Sequence, residues 1–215
     1  IHNLCGFAYR EAANGIPIVI CFSGNRAGIS FFPAPADHNT VQGNFIGTDA
    51  TGVLPRGNLF EGIKVQSATN IVIGGASPGA RNLICANGTG ISLLSSSRDV
   101  VQGNFIGTDV TGHYDLGNVG DGIDLQSCSL TAVGGANAGN LIVNNSGYGV
   151  FLLGCATNTV QGNWIGTDLG GAWPLGNGKD GICLQSSSAT TIGATSPGSA
   201  NVIEFNNGAG VNIYS

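Results

Sequence analysis

The chain has 215 residues, of which 37 are glycine, none is methionine and only 9% are charged, a composition that excludes a helical bundle and favours a turn-rich β-protein. Its formal charge of −5, with seven basic residues placed singly, offers no stripe for a phosphate backbone, so nucleic acid is excluded as a partner. No apolar run reaches the roughly 18 residues that span a bilayer, and the 42% hydrophobic share separates the chain from disordered glycine-rich linkers.

Residues 1–24 do not match the rest of the chain and are expected to form an N-terminal cap or a subunit contact. Within them Tyr9–Asn14 has the composition for about two helical turns, closed by Asn14-Gly15. Gly15–Phe22 reads as a buried strand with its proline near the start. A start at Ile1 fits a processed, exported product, and six cysteines without a Cys-x-x-Cys pair fit an oxidising, extracellular setting. Neither a metal nor a cofactor is expected.

From Asn25 to Ser215 the chain repeats itself. Val41-Gln-Gly-Asn-Phe-Ile-Gly-Thr-Asp49 returns as Val101–Asp109 and, with tryptophan for phenylalanine, as Val160–Asp168, at spacings of 60 and then 59 residues. Each copy divides again. Asn39–Asn44 aligns with Asn70–Gly75, Phe45–Thr48 with Asn82–Cys85, and Gly62–Val65 with Gly90–Leu93. Turns beginning at Asn25, Asn87, Asn145 and Asn207 each lead into a Gly-Ile-x-Leu type of strand. Such self-similarity marks a solenoid, whose units bury their apolar faces only by stacking. The expected fold is therefore all-β: a single-domain parallel β-helix over residues 25–215, about seven coils of three short strands, with little or no helix. Inward columns of Ile46, Ile106 and Ile165 and of Ile63, Ile123 and Ile182 supply the core. Corners carry glycine and asparagine because sharp turns need positive φ, and stacked asparagines are expected to form amide ladders.

The cysteines test the register. Cys128 lies six residues after Gly122 and Cys155 six after Gly149, so both fall in one column on successive coils, and a Cys128–Cys155 bridge or at least adjacent thiols is expected. Cys21 and Cys85 occupy similar places two coils apart. Cys5 and Cys183 are left as candidates for links between subunits.

The Gly-Asn-x-Ile-Gly-Thr-Asp-x-x-Gly pattern, followed by Gly-Asn, Gly-Ile-x-Leu, Gly-Gly and Asn-x-Ile, resembles the right-handed parallel β-helix repeats of large secreted bacterial surface proteins. The resemblance covers about residues 25–215. Cys5–Asn14 faintly resembles the Cys-Ser-Leu-Arg-Glu-Ala segment that precedes such helices in one bacterial family. The repeat pattern implies the fold shared with pectin lyases and polygalacturonases, but a shared fold does not transfer an activity.

A catalytic cluster is needed once, whereas structural residues recur. Asp49, Asp109 and Asp168 recur, as do Glu61, Asp121 and Asp180, and both sets are assigned to corner capping and the surface, with calcium the second choice for the first set. His38, His113, Tyr114, Asp115, Asp124, Lys179 and Glu204 are unique. Asp124 shares an outward column with Lys64 and Cys183, and no carboxylate pair on neighbouring coils is evident there. Catalytic residues are therefore expected to be absent. Thr48, Thr108 and Thr167 recur too sparsely for an ice-binding face. Trp164 and Trp173 have the chemistry to stack on sugars, and Asn87 and Asn144 fit glycan acceptors. The final strand, Gly210–Ser215, ends without a polar cap, which points to head-to-tail contact and fibre growth. The expected function is that of a secreted, non-enzymatic structural or adhesive solenoid that self-assembles into extracellular filaments. The alternative is a carbohydrate-active or carbohydrate-binding β-helix, with a polysaccharide or cell surface as partner.

Overall fold

A computed structural model of the chain describes residues 20–31 and 36–215. The expected cap helix, Cys5 and most of the 1–24 segment lie outside those residues. Short runs of β-branched and aliphatic residues, each closed by glycine, asparagine or serine, wind into three parallel sheets. The first sheet stacks Ile20–Phe22, Asn44–Ile46, Leu83–Ile84, Phe105–Ile106, Leu141–Ile142, Trp164–Ile165 and Val202–Ile203. The second stacks Ile29–Phe31, Glu61–Gln66, Thr89–Leu94, Ile123–Gln126, Val150–Leu153, Ile182–Gln185 and Val211–Tyr214. The third stacks Thr40–Val41, Val72–Gly74, Val100–Gln102, Ala132–Gly134, Thr159–Gln161 and Thr191–Ile192. Each winding crosses all three sheets before the chain climbs one rung, which makes a parallel β-helix of about seven coils. Among the described residues the only regular helical piece is a 3₁₀ turn at Pro78–Ala80.

The inner walls are columns of like residues. Ile46, Ile84, Ile106, Ile142 and Ile165 line one; Ile63, Ile91, Ile123, Val150 and Ile182 the second; Val41, Ile73, Val101, Val133 and Val160 the third, all buried. Burial of each is worth about 1.5–3 kcal/mol, and that sum sustains strands only two to six residues long.

Two corners are held by buried amide ladders. Asn44, Asn82, Asn104, Asn140, Asn163 and Asn201 form one; Asn58, Asn87, Asn118, Asn145, Asn177 and Asn206 form the other. In each, the side-chain oxygen of one asparagine accepts both the backbone N–H and the side-chain N–H of the asparagine one coil below, as Asn118 does from Asn87 at 2.9 and 3.2 Å. The ladder satisfies backbone donors that turn inward at the corner, where no water reaches them.

Within each copy the alignment of Gly62–Val65 with Gly90–Leu93 holds, whereas the other two segments shift by one residue. Val41 lies over Ile73 and Phe45 over Leu83, so Asn44, not Phe45, sits on Asn82. Stacking Ile46 on Ile84 and closing the ladder fix this register together. Asn206 rather than Asn207 likewise takes the last rung. Cys21 and Cys85 are not equivalent: Cys21 pairs with Phe45, whereas Cys85 continues from Ile84 and bonds the Ile46 carbonyl.

The third corner departs from the glycine and asparagine rule. Its positive-φ positions include a single glycine, Gly154, in the column of Ser67, Ser95, Ser127 and Ser186, and a single asparagine, Asn70, in the column of His38, Arg98, Leu130, Thr157 and Ala189. A left-handed conformation costs the others about 1–2 kcal/mol each. Parallel bonds between coils, such as Ser67 N to Leu94 O and Ser95 N to Gln126 O, impose it anyway.

Inside this corner Cys128 and Cys155 are neighbours in one buried column, the Cys128 N–H lying 3.3 Å from Cys155 Sγ. Both are thiols, and the expected bridge between them is not formed. In-register parallel neighbours hold their Cβ atoms near the strand spacing of ~4.8 Å, beyond the ~3.5–4.5 Å that a disulfide adopts.

Candidate functional site

The outer faces of the first and second sheets differ. On the first, Phe45, Leu83, Phe105, Leu141 and Trp164 point outward into a second hydrophobic cluster with Cys85, Val143, Leu116 and Leu175. Hairpin loops cover it. Thr48 bridges to Pro55, Thr108 to Asp115 and Thr167 to Pro174 in antiparallel fashion, folding each loop back over the sheet.

The loop aspartates hold these hairpins. Asp109 accepts from the Thr111 hydroxyl at 2.8 Å and from the backbone N–H groups of His113 and Tyr114 at 3.2 and 3.1 Å. Asp49 does the same with Thr51 and Leu54, and Asp168 with Ala172 and Trp173. Burial works to raise the carboxyls of Asp49 and Asp109, but the hydroxyl and amide donors together outweigh it and hold both below the usual range. At Asp168 the Trp173 and Ala172 amides do so. Both oxygens of Asp49 and Asp109, and Oδ1 of Asp168, are occupied by their own loops, which argues against calcium there. Thr48, Thr108 and Thr167 are buried beneath and form no open face. Asn87 is sealed in its ladder and inaccessible to a glycosylating enzyme.

Among the described residues no loop folds over the second sheet in this way, and its outer columns break the repeat. One runs Ser30, Lys64, Ser92, Asp124, Phe151, Cys183, Asn212. Beside it Glu61 pairs with Thr89, and Asp121, Tyr148 and Asp180 follow at the strand entrances. Asp124 lies at the middle. Its Oδ2 accepts from Gln126 Nε2 at 2.9 Å, while its Oδ1 is buried without a partner. Burial, and after it the charges of Asp121 and Glu61, push the Asp124 carboxyl up to about 6 against the opposing pull of Gln126.

Asp121 accepts the Tyr148 N–H at 2.7 Å; burial raises its carboxyl, with that bond and Lys179 working the other way. Tyr148 and Phe151 stack with centroids 4.9 Å apart and an interplanar angle of 18°. Lys179 Nζ lies 4.5 Å from the Tyr148 centroid. Lys64 is tied to Glu61 at 3.0 Å. Asp180 caps the next coil through the Ala209 N–H at 2.7 Å. At one end of the face Arg26, Ser30, Phe60, Glu61 and Lys64 line an open depression of about 640 Å³.

Four carboxylates thus share this face with Lys64, Lys179 and, at one end, Arg26, each of them against a carboxylate or a ring. Such a surface repels polyanions, and it presents one proton-exchanging carboxyl beside an aromatic pair. Asp121 and Asp124 belong to the same coil, so they are not a carboxylate pair on neighbouring coils. The sequence already marks Asp124 as unique in its column with Lys64 and Cys183, but not that its Oδ1 is buried without a partner. Cys183, a candidate link between subunits, is buried on this face 3.7 Å from the Tyr214 hydroxyl, and burial pushes its thiol up. His38 sits at a positive-φ turn and His113 packs against Trp173, both away from Asp124's column. Trp164 packs under its loop, whereas Trp173 is exposed.

No protein-family model matches the sequence, and no curated protein matches it. Among solved structures, a point mutant of the periplasmic alginate epimerase AlgG is similar over 91% of this chain and 48% of its own, at 14% identity and a TM-score of 0.43. The chain spans about half the length of that structure. Among the described residues no helix is long and apolar enough to cross a membrane.

Proposed function

We propose that the chain is a carbohydrate-active β-helix that binds an uncharged polysaccharide across the outer face of the second sheet and uses Asp124 as the proton-carrying group at a glycosidic bond. The observation that carries this reading is Asp124 itself: a unique carboxyl, one oxygen fixed by Gln126 and the other unpartnered, beside the stacked Tyr148 and Phe151. A carboxyl raised to about 6 remains partly protonated near neutral pH, which a general acid requires. Asp121, anchored through one oxygen by the Tyr148 amide, supplies the second carboxylate that such cleavage uses. The engaged lysines and surplus carboxylates favour neutral sugars over uronates.

The test is release of reducing ends from neutral glucans, mannans and xylans by wild type and Asp124→Asn. Loss of turnover by about 100-fold or more with retained binding supports the reading. Equal turnover in both proteins, or none from any neutral glycan, overturns it.

The second reading is an exported, non-enzymatic structural or adhesive element whose copies stack end to end. The two uninterrupted asparagine ladders favour it, since they give a rod uniform along its length. Electron microscopy of the purified chain tests it: filaments support stacking, and isolated particles at every concentration refute it.

A further inference from the structure

The three hairpin loops that cover the first sheet leave an apolar ridge of their own in the open. Five residues beyond the loop aspartates stand Leu54, Tyr114 and Trp173, which are 52%, 71% and 57% exposed. Alongside them Val110 and Leu169 are exposed, as are Leu59 and Val119 at the foot of the loops. Equivalent positions recur on every second coil, about 9.6 Å apart by two strand spacings of ~4.8 Å. The row therefore runs along the solenoid axis. His113 meets Trp173 edge-on with ring centroids 5.8 Å apart, so successive loops brace one another and hold the indole.

The exposed charges on this ridge are Arg56 beside Leu54 and Asp115 beside Tyr114, one of each sign. Asp109 and Asp168 turn their carboxylates into their own loops, and Asp115 accepts the Gly117 N–H at 2.9 Å. A surface with exposed rings and few free charges repeats along one line, and contiguous apolar exposure of this kind marks a binding site. Sugar rings present flat C–H faces to aromatic side chains, and an extended β-linked chain repeats its orientation every second sugar, as the ridge does every second coil. The ridge also adjoins the candidate site, since Phe60, next to Leu59, lines the depression shared with Glu61 and Lys64.

We propose that this ridge is a second carbohydrate-binding surface, which holds an uncharged, β-linked polysaccharide along the solenoid axis by stacking sugar rings on Tyr114 and Trp173. It goes beyond the Asp124 reading and stands without it, because binding here needs no catalysis. It places a chain held on the loops beside the face that carries the carboxyls.

The experiment is affinity electrophoresis of the full chain in gels containing soluble mixed-linkage β-glucan or β-mannan, with sodium polygalacturonate as the charged control. Wild type is expected to be retarded by a neutral glycan and not by polygalacturonate. Trp173→Ala and Tyr114→Ala should each weaken retardation about ten-fold, and Trp173→Phe should keep most of it. No retardation by any neutral glycan, retardation by polygalacturonate alone, or an unchanged Trp173→Ala variant overturns the proposal. So does a Trp173→Ala variant whose only change is lost self-association in sedimentation velocity, which would make a second copy the occupant. Failure of the catalytic reading shows separately, as Asp124→Asn without effect on turnover.

Discussion

The outer face of the first sheet and that of the second are built by the same coils, each giving one strand to either sheet, yet only one face repeats. Over the first, aromatic and aliphatic residues recur, loops fold down on them, and recurring aspartates pin the loops. Over the second, Lys64, Ser92, Asp124, Phe151 and Cys183 follow one another in a single column without repetition. Stacking selects for sameness, because each side chain packs on its counterpart above and below. A column that abandons sameness forgoes that packing, and function is a reason to do so.

Substitutions should separate the two regions by sign as well as by size. The largest effect is expected at Gly107, whose φ of +87° and whose approach to the Val143 carbonyl, 1.8 Å from where a Cβ would lie, leave no room for alanine. Gly107→Ala should lose at least about 4 kcal/mol in urea unfolding, or fail to fold. Next comes Asn118→Ala, which strands the backbone and side-chain N–H groups of Asn87 in the interior; a loss of about 3 kcal/mol is expected in the same measurement.

Asp124→Asn should go the other way. A carboxyl raised in the folded state makes stability fall as pH rises from the unfolded value near 3.8 through about 6. The variant should therefore be more stable than wild type above pH 6, by roughly 1 kcal/mol after allowance for solvent screening, and equal to it near pH 3. Thermal melts across pH 3–8 measure this. Destabilisation at pH 7 would assign Asp124 to the structural class and dissolve the contrast.

The smallest effect is at the loops. The Asp109 carboxyl is held low, so its contribution is present above the unfolded value and is lost as pH falls through the folded one. Asp109→Ala should cost about 1 kcal/mol at pH 7 and progressively less as the pH falls below the ordinary carboxylate range, read from the same melts.

Much of the architecture was legible because a solenoid writes its geometry as recurrence. Ile46, Ile106 and Ile165 could be placed on an inner wall, and asparagine ladders anticipated, from the Val-Gln-Gly-Asn-x-Ile-Gly-Thr-Asp copies alone. The half-copies were harder. Asn70 and Asn82 resemble two different partners in the first half, and only the ladder between Asn44 and Asn82 decides which. The third corner was read wrongly because glycine and asparagine are the usual left-handed residues, whereas here bonds between coils force serine, leucine and alanine into that conformation. Asp124 stands out in the sequence as unique in its outward column, but its burial, its unpartnered Oδ1 and the stacked rings of Tyr148 and Phe151 beside it come only from the packing.

By itself the sequence determined that this chain winds, with what period, and which residues face inward, since periodic burial leaves a periodic trace. Only the tertiary structure decided which outward face is covered and which is bare, because that depends on where the hairpin loops fold. It also decided that Asp124 is buried within reach of the charges of Asp121 and Glu61, and that the stacked Cys128 and Cys155 do not bond. Distance, burial and the direction of a Cβ are properties of the packed rod, and no spacing along the chain encodes them.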